Sequence, residues 1–236
     1  MKYLKEDAAL LDMDSAEDTQ ESLVLREERL AAIDQQLIEL PAGYTPVQRA
    51  ALLLAGGRAL IDLERFQEAW DRAREAFDIY TAAEDWEGAV QACEILFLSD
   101  QPESLPALGQ GIWLAVTFPI DPELTVAMLQ HVIDDTPPDS DGAAVAAIVA
   151  HYVVDMRAPE GKSRENLLFY TNQMLATVAR RHSRVQSQKE FDMWFLKLEL
   201  NDPALFLPRL RNVVDVLVQD EWWIDRDALH EKLPVN

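Results

Sequence analysis

Residues 45–98 read TPVQRAALLLAGGRALIDLERFQEAWDRAREAFDIYTAAEDWEGAVQACEILFL, and this stretch decides the fold. Thr45-Pro46 is a helix start: a hydroxyl that caps, then a proline in the first turn, where a missing N–H costs nothing. The apolar spacing that follows is helical and predicts one helix to about Leu63, a second over Phe66–Ala82 and a third over Trp86–Leu98. The breaks between them are short, so successive helices are expected to lie antiparallel as neighbours.

The same punctuation recurs outward from this stretch. Upstream, Leu23, Leu30 and Leu37 recur every seven residues with Ile33 between them, an apolar stripe on one helix face that is expected to pack on the rest of the fold, two to three heptads being short for the alternative, a coiled-coil seam. Downstream, helices are expected over Ser104–Thr117, from Asp121-Pro122 to Asp135, from Ser140 or Asp141 to Arg157, from about Ser163 to Arg181, over Gln188–Leu200 and from Asp202-Pro203 to Val218. A short last helix is expected within Glu221–Leu233. Pro208 inside the penultimate helix predicts a kink or a late start. Ala143, Val145, Ala146, Ile148, Val149 and Val153 make the helix ending at Arg157 apolar on most faces, so it is expected to be surrounded. Trp113 and Trp194 lie in apolar stripes and are read as core. No segment alternates with period two. The fold class expected is all-α, an array of antiparallel helix pairs with about 9–11 helices and starts spaced by about 35–42 residues. Residues 1–18 are expected to be a weakly ordered acidic N-terminus, and 19–236 a single helical-repeat domain.

Within this array, Gly57, Leu60, Phe66, Ala69, Ala73 and Ala76 follow the order of small and large residues of a tetratricopeptide repeat, and residues 53–98 resemble that family. Gly57 and the alanines allow close helix approach, while Leu60 and Phe66 are expected to fill the gap between the pair. The stretch departs from the motif at Leu53 in place of tryptophan, Glu64 in place of the turn glycine, and Thr81 in place of the closing proline. A looser echo lies in Trp86, Gly88, Ala89 and Leu96. The resemblance implies a protein-interaction scaffold.

Composition bounds the function classes. The 236 residues hold 42 acidic and 21 basic side chains, for a net charge of −21. Residues 1–40 alone carry 11 acidic and 4 basic ones. Such a field repels nucleic acid and anionic lipid, and favours partners with a basic patch. The single cysteine, Cys93, excludes an intrachain disulfide and sits in an apolar run, as a buried small hydrophobe would. No run approaches the ~20 apolar residues of a membrane span, and Lys2 and Lys5 are followed by acids rather than an apolar signal core, so a cytoplasmic location is expected.

The search for chemistry yields few anchors. His131 with Asp135, and His151 with Asp155, are each spaced to share a helix face, a pattern that bundles use for metal sites. Across a hairpin about Pro137-Pro138, however, the two histidines would be offset by roughly 10 Å along the axes. Histidines bonded to neighbouring carboxylates are the other reading. There is no Gly-rich phosphate loop, no Cys-x-x-Cys pair and no His-Glu-x-x-His motif. No catalytic residue and no cofactor is expected. Arg180, Arg181, His182 and Arg184 form the one basic cluster; it either serves the negative end of a helix dipole or holds an anion or acidic partner. Adjacent Trp222 and Trp223 either cover the open end of the last hairpin or anchor a partner.

The expectation is a non-catalytic interaction scaffold, an assembly factor or chaperone-like adaptor binding a protein or peptide, with Trp222, Trp223, Arg180, Arg181 and Arg184 as contact residues. Self-association fits the same features. A helical-bundle enzyme or metal protein using the His/Asp pairs, and a regulator binding a small anion, are the alternatives.

Overall fold

The computed structural model describes residues 2–4 and 16–231, with no side-chain environment for 16–21. The expectation for residues 1–18 therefore falls mostly outside the described residues, as does the end of the tail at Leu233. Eleven helices make up 77% of what is described, with no strand among the described residues. They are α1 (Ala16–Ile38), α2 (Pro46–Asp62), α3 (Phe66–Ala82), α4 (Trp86–Leu98), α5 (Ser104–Thr117), α6 (Pro122–Asp135), α7 (Asp141–Arg157), α8 (Lys162–Ser183), α9 (Gln188–Lys197), α10 (Pro203–Val218) and α11 (Arg226–Glu231). The chain is an all-α array in which consecutive helices pack as neighbours.

The starts follow from the capping residues. Thr45 accepts from the Gln48 N–H while its own N–H donates to Gln48 Oε1 at 2.8 Å, a reciprocal box that satisfies two donors at the head of α2. Asp121 accepts from the Glu123 N–H at 2.8 Å, and Asp202 from Ala204 at 2.9 Å. α10 begins at Pro203, so Pro208 lies within the helix and does not delay it. Several helices end in an unusual way. Glu64, Glu84 and Glu199 each adopt φ of 55–57°, where glycine is the ordinary residue. The following N–H closes back five residues: Arg65 to the Leu60 carbonyl, Asp85 to Tyr80, Leu200 to Phe195, all at 2.9–3.0 Å. Glu64 thus makes the left-handed turn that a glycine makes in the tetratricopeptide motif.

Packing divides the chain into two compact units, residues 20–111 with 215–236, and residues 1–19 with 112–214. In the first, α2 and α3 run antiparallel, tied by Arg49 to Glu75 at 2.7 Å. α4 returns beside α2, with Arg58 reaching Gln91 at 3.2 Å and Glu94 at 3.7 Å. α1 runs alongside α3 in the same direction: Glu27 meets Arg65 at 3.7 Å and Asp34 meets Arg72 at 2.7 Å. Small residues make this approach possible. Ala69, Ala73 and Ala76 are buried, and a Cβ on Gly57 would stand 3.2 Å from Ile95 Cγ2. A Cβ on Gly88 would overlap the buried Tyr80 ring, 2.7 Å from its Cγ. A Cβ on Gly56 would meet only the end of the Arg72 side chain, which passes over that glycine towards Asp34.

Two expectations fail here for geometric reasons. Leu60 is buried, but Phe66 is 38% exposed; as the first residue of α3 it lies at the turn rather than between the helices, and Phe77 fills the interior instead. Of the α1 stripe, Leu30 and Ile33 are buried whereas Leu23 is 50% exposed. Arg26 already reaches the Asp62 carbonyl at the end of α2, so Leu23, Val24 and Leu25 lie past the α2–α3 turn and stay exposed.

In the second unit, α7 is surrounded as its composition predicts. Ala143 to Ala150 are buried without interruption, together with Val153 and Val154. α6 and α8 flank it, and Arg181 donates across to the Ile133 carbonyl at 2.8 Å. Arg157 donates to the Ala115 and Val116 carbonyls, satisfying the open end of α5, and burial lowers its pKa. Trp194 is buried as expected; Trp113 is only half-buried, set edge-on to Phe118 at 6.3 Å. Cys93, in the first unit, is completely buried, which pushes its thiol pKa far up.

Gly88→Ala and Gly56→Ala are therefore predicted to differ. The first forces a buried ring to move and lowers unfolding free energy by about 1–3 kcal/mol. The second displaces a flexible guanidinium while gaining helix propensity, and stays within about 1 kcal/mol of the parent. Urea denaturation of the two variants measures this.

Candidate functional site

The Trp222-Trp223 pair lies in the segment between α10 and α11, in the first unit. Trp223 is half-buried against one face of α3, built from Trp70, Arg74 and Phe77, whose spacing of four and three residues aligns them. The Trp70 ring meets it edge-on at 6.1 Å and Phe77 at 5.4 Å, while the Arg74 guanidinium sits over it at 4.4 Å. The backbone is held as well. Buried Gln110 accepts from the Trp223 N–H at 2.7 Å and donates to the Glu221 carbonyl at 3.5 Å. Trp222 is engaged by Arg226, 3.8 Å over its ring, and Arg226 is in turn bonded to Asp215 at 3.0 Å. Trp223 thus fastens the C-terminal segment onto α3, with part of each tryptophan ring left at the surface. The Trp70, Arg74 and Phe77 spacing was visible in the sequence, but not what would cover that face.

The basic cluster separates in the second unit. Arg181 is half-buried and spent on the α6 carbonyl end. His182 belongs to a network that joins α7, α8, α9 and α10. Trp194 Nε1 can only donate, and it meets His182 Nδ1 at 3.1 Å, so the ring proton sits on Nε2 and is donated to Asp141 at 3.0 Å. Arg209 donates to the same Asp141 carboxylate at 3.3 Å and to the Leu198 carbonyl at 2.5 Å. Nothing in the sequence marks these pairs, since Asp141 lies 41 residues from His182 and 68 from Arg209. Arg180 and Arg184 remain exposed, Arg184 as the left-handed cap of α8 with φ 55°.

The two His/Asp pairs are both half-buried at the histidine and exposed at the carboxylate. His151 Nδ1 lies 3.0 Å from Thr171 Oγ1, whose hydroxyl is already donated to the Leu167 carbonyl, so the ring donates. Asp155 is bonded to Arg164 at 2.6 Å. No group of three or more His, Cys, Asp or Glu side chains among the described residues could hold a metal ion. Burial lowers the pKa of both rings from the ordinary 6.5, outweighing Asp134 and Asp135 at His131 and Asp155 at His151.

One buried carboxylate was not anticipated. Glu123, at the head of α6, accepts from the backbone N–H of Tyr3 at 2.6 Å and of Leu4 at 3.2 Å, and Leu4 is buried. Its sequence signal was only an acid after Asp121-Pro122, where the helix dipole favours negative charge.

Two outcomes follow from this geometry. Trp223→Ala removes the ring from α3 and is predicted to cost about 2 kcal/mol, less than a core tryptophan because the ring is half-buried; hydrogen exchange should show loss of amide protection over residues 219–226, with Trp222→Ala a weaker version. Unfolding returns His131 and His151 to pKa 6.5, so just below that pH the unfolded chain binds more protons and stability falls as pH drops through the window. His151→Gln should flatten that fall in urea midpoints measured from pH 7.5 to 5.5.

No protein-family model matches this chain, and no curated protein or solved structure matches it.

Proposed function

We propose that this chain is a non-catalytic interaction scaffold, an adaptor or assembly factor in the cytoplasm that holds a protein or peptide on stacked, tetratricopeptide-like helical hairpins. The observation that supports this reading most directly is the register of the first unit. α1 lies beside α3 and α4 beside α2, each pair running in the same direction, as adjacent hairpins of a helical repeat do. Such stacking leaves whole helix faces free for a partner, and with a net charge of −21 most of that surface favours a basic one. The tryptophan pair adds aromatic area that is only partly covered.

Affinity capture from a native extract, at low and at raised salt, tests the proposal. A stoichiometric partner whose capture weakens with salt is expected. A folded chain that returns no stoichiometric partner, and does not self-associate in sedimentation, would remove the scaffold reading.

A further inference from the structure

We infer that the end of α8 and the outer face of α9 form a docking surface for an acidic peptide segment of a partner protein, one that carries bulky apolar side chains. This rests on the scaffold reading and names a partner class for one surface of it.

The inference starts from how this chain treats its cations. With twice as many acids as bases, arginines across the structure are matched to carboxylates: Arg49 to Glu75, Arg65 to Glu68, Arg74 to Asp78, Arg164 to Asp155. The α8–α9 corner differs. Arg180 touches the Thr177 hydroxyl at 3.3 Å, and among the described residues no carboxylate lies against Arg180, Arg184, Lys189 or Lys197. Of the acids on this stretch, two bond to neighbours on their own segment. Glu190 accepts the Gln186 and Ser187 N–H groups at 2.7 and 3.1 Å, bonds that lower its pKa, and Asp192 accepts from Gln188 at 2.7 Å. Over residues 180–199 the five cations Arg180, Arg181, Arg184, Lys189 and Lys197 outnumber the three acids Glu190, Asp192 and Glu199, so the corner is locally positive on a strongly negative protein.

Apolar surface sits between these charges. Met193 and Leu196 are 59% and 62% exposed. Lys189, Met193, Leu196 and Lys197 are spaced by four, three and one residues, which puts them on one side of α9 with Asp192 at its edge, the two lysine positions about 12 Å apart along the axis. Behind them Phe191 and Phe195 stack at 5.7 Å and are half-buried. An acidic segment is repelled by most of this protein and attracted here, so the same charge that blocks it elsewhere directs it to this corner. Leucine-sized groups a helical turn apart would cover Met193 and Leu196 while carboxylates reach the flanking cations.

The test uses the full chain and a labelled helical peptide of glutamate with leucines along one face, followed by fluorescence anisotropy. Versions with lysine for glutamate, and alanine for leucine, are the controls. Binding is expected for the glutamate–leucine peptide alone, weakening with salt, and about tenfold weaker in Lys189→Glu/Lys197→Glu and in Met193→Ser/Leu196→Ser. These positions are exposed, and circular dichroism checks that the variants fold; Lys162→Glu should bind like the parent. A lysine peptide that binds as tightly overturns the assignment, since bulk charge alone then explains binding. Unchanged affinity in both double variants does the same. Self-association that these variants abolish, without peptide binding, would give the surface to a second copy and end the proposal. Capture of a stoichiometric partner that survives both double variants would leave the scaffold standing and sink this surface.

Discussion

Close approach of helix backbones is the constraint from which the rest follows. Gly57 against Ile95, Gly88 under the Tyr80 ring and the buried alanines at 69, 73 and 76 bring α2, α3 and α4 near enough to share side chains. The long alanine run of α7 does the same work in the other unit. Small residues bury little area each, so their contribution is indirect: they let Leu60, Phe77 and Ile95 interlock, and dense interlocking is where dispersion accumulates. Tight spacing also sets where cations go. Arg72 reaches Asp34 only because Gly56 leaves it a path.

Once helices are this close, their ends become the costly part. Each buried terminus leaves carbonyls without partners, and this chain closes them with side chains from elsewhere in the same unit. Arg157 serves α5, Arg181 serves α6 and Arg209 serves α9. Left-handed glutamates serve other ends through local backbone bonds, accepting conformational strain where glycine would have none. Arginine thus has two tasks here, closing helix ends and pairing with carboxylates as Arg49 does with Glu75. Arg180, Arg184, Lys189 and Lys197, at α8 and α9, have neither task.

The helix boundaries were legible because they are local events. Thr45-Pro46, Asp121-Pro122 and Asp202-Pro203 each start a helix where the sequence places it, and α3, α4 and α5 match their expected spans end to end. The buried character of α7, Cys93 and Trp194 was equally plain, since apolar density needs no knowledge of the neighbour. Phe66 and Leu23 show the limit. Both belong to good apolar patterns, yet one lies at a turn and the other beyond the end of its packing partners. A pattern says that a side chain is suited to burial, not that something arrives to bury it.

The candidate contact residues divide the same way. Sequence alone determined that the chain is helical, where its helices begin, and that a basic cluster and a tryptophan pair exist on a strongly acidic protein. Only the tertiary structure decided that Trp223 would be seated on α3 by Gln110 and Arg74, that His182 would face Asp141, and that Arg181 would be spent inside while Arg180 stays outside. Those outcomes depend on hydrogen bonds and ring contacts between residues 41 to 149 positions apart, and such pairings are set by which faces pack together rather than by any local preference of the chain.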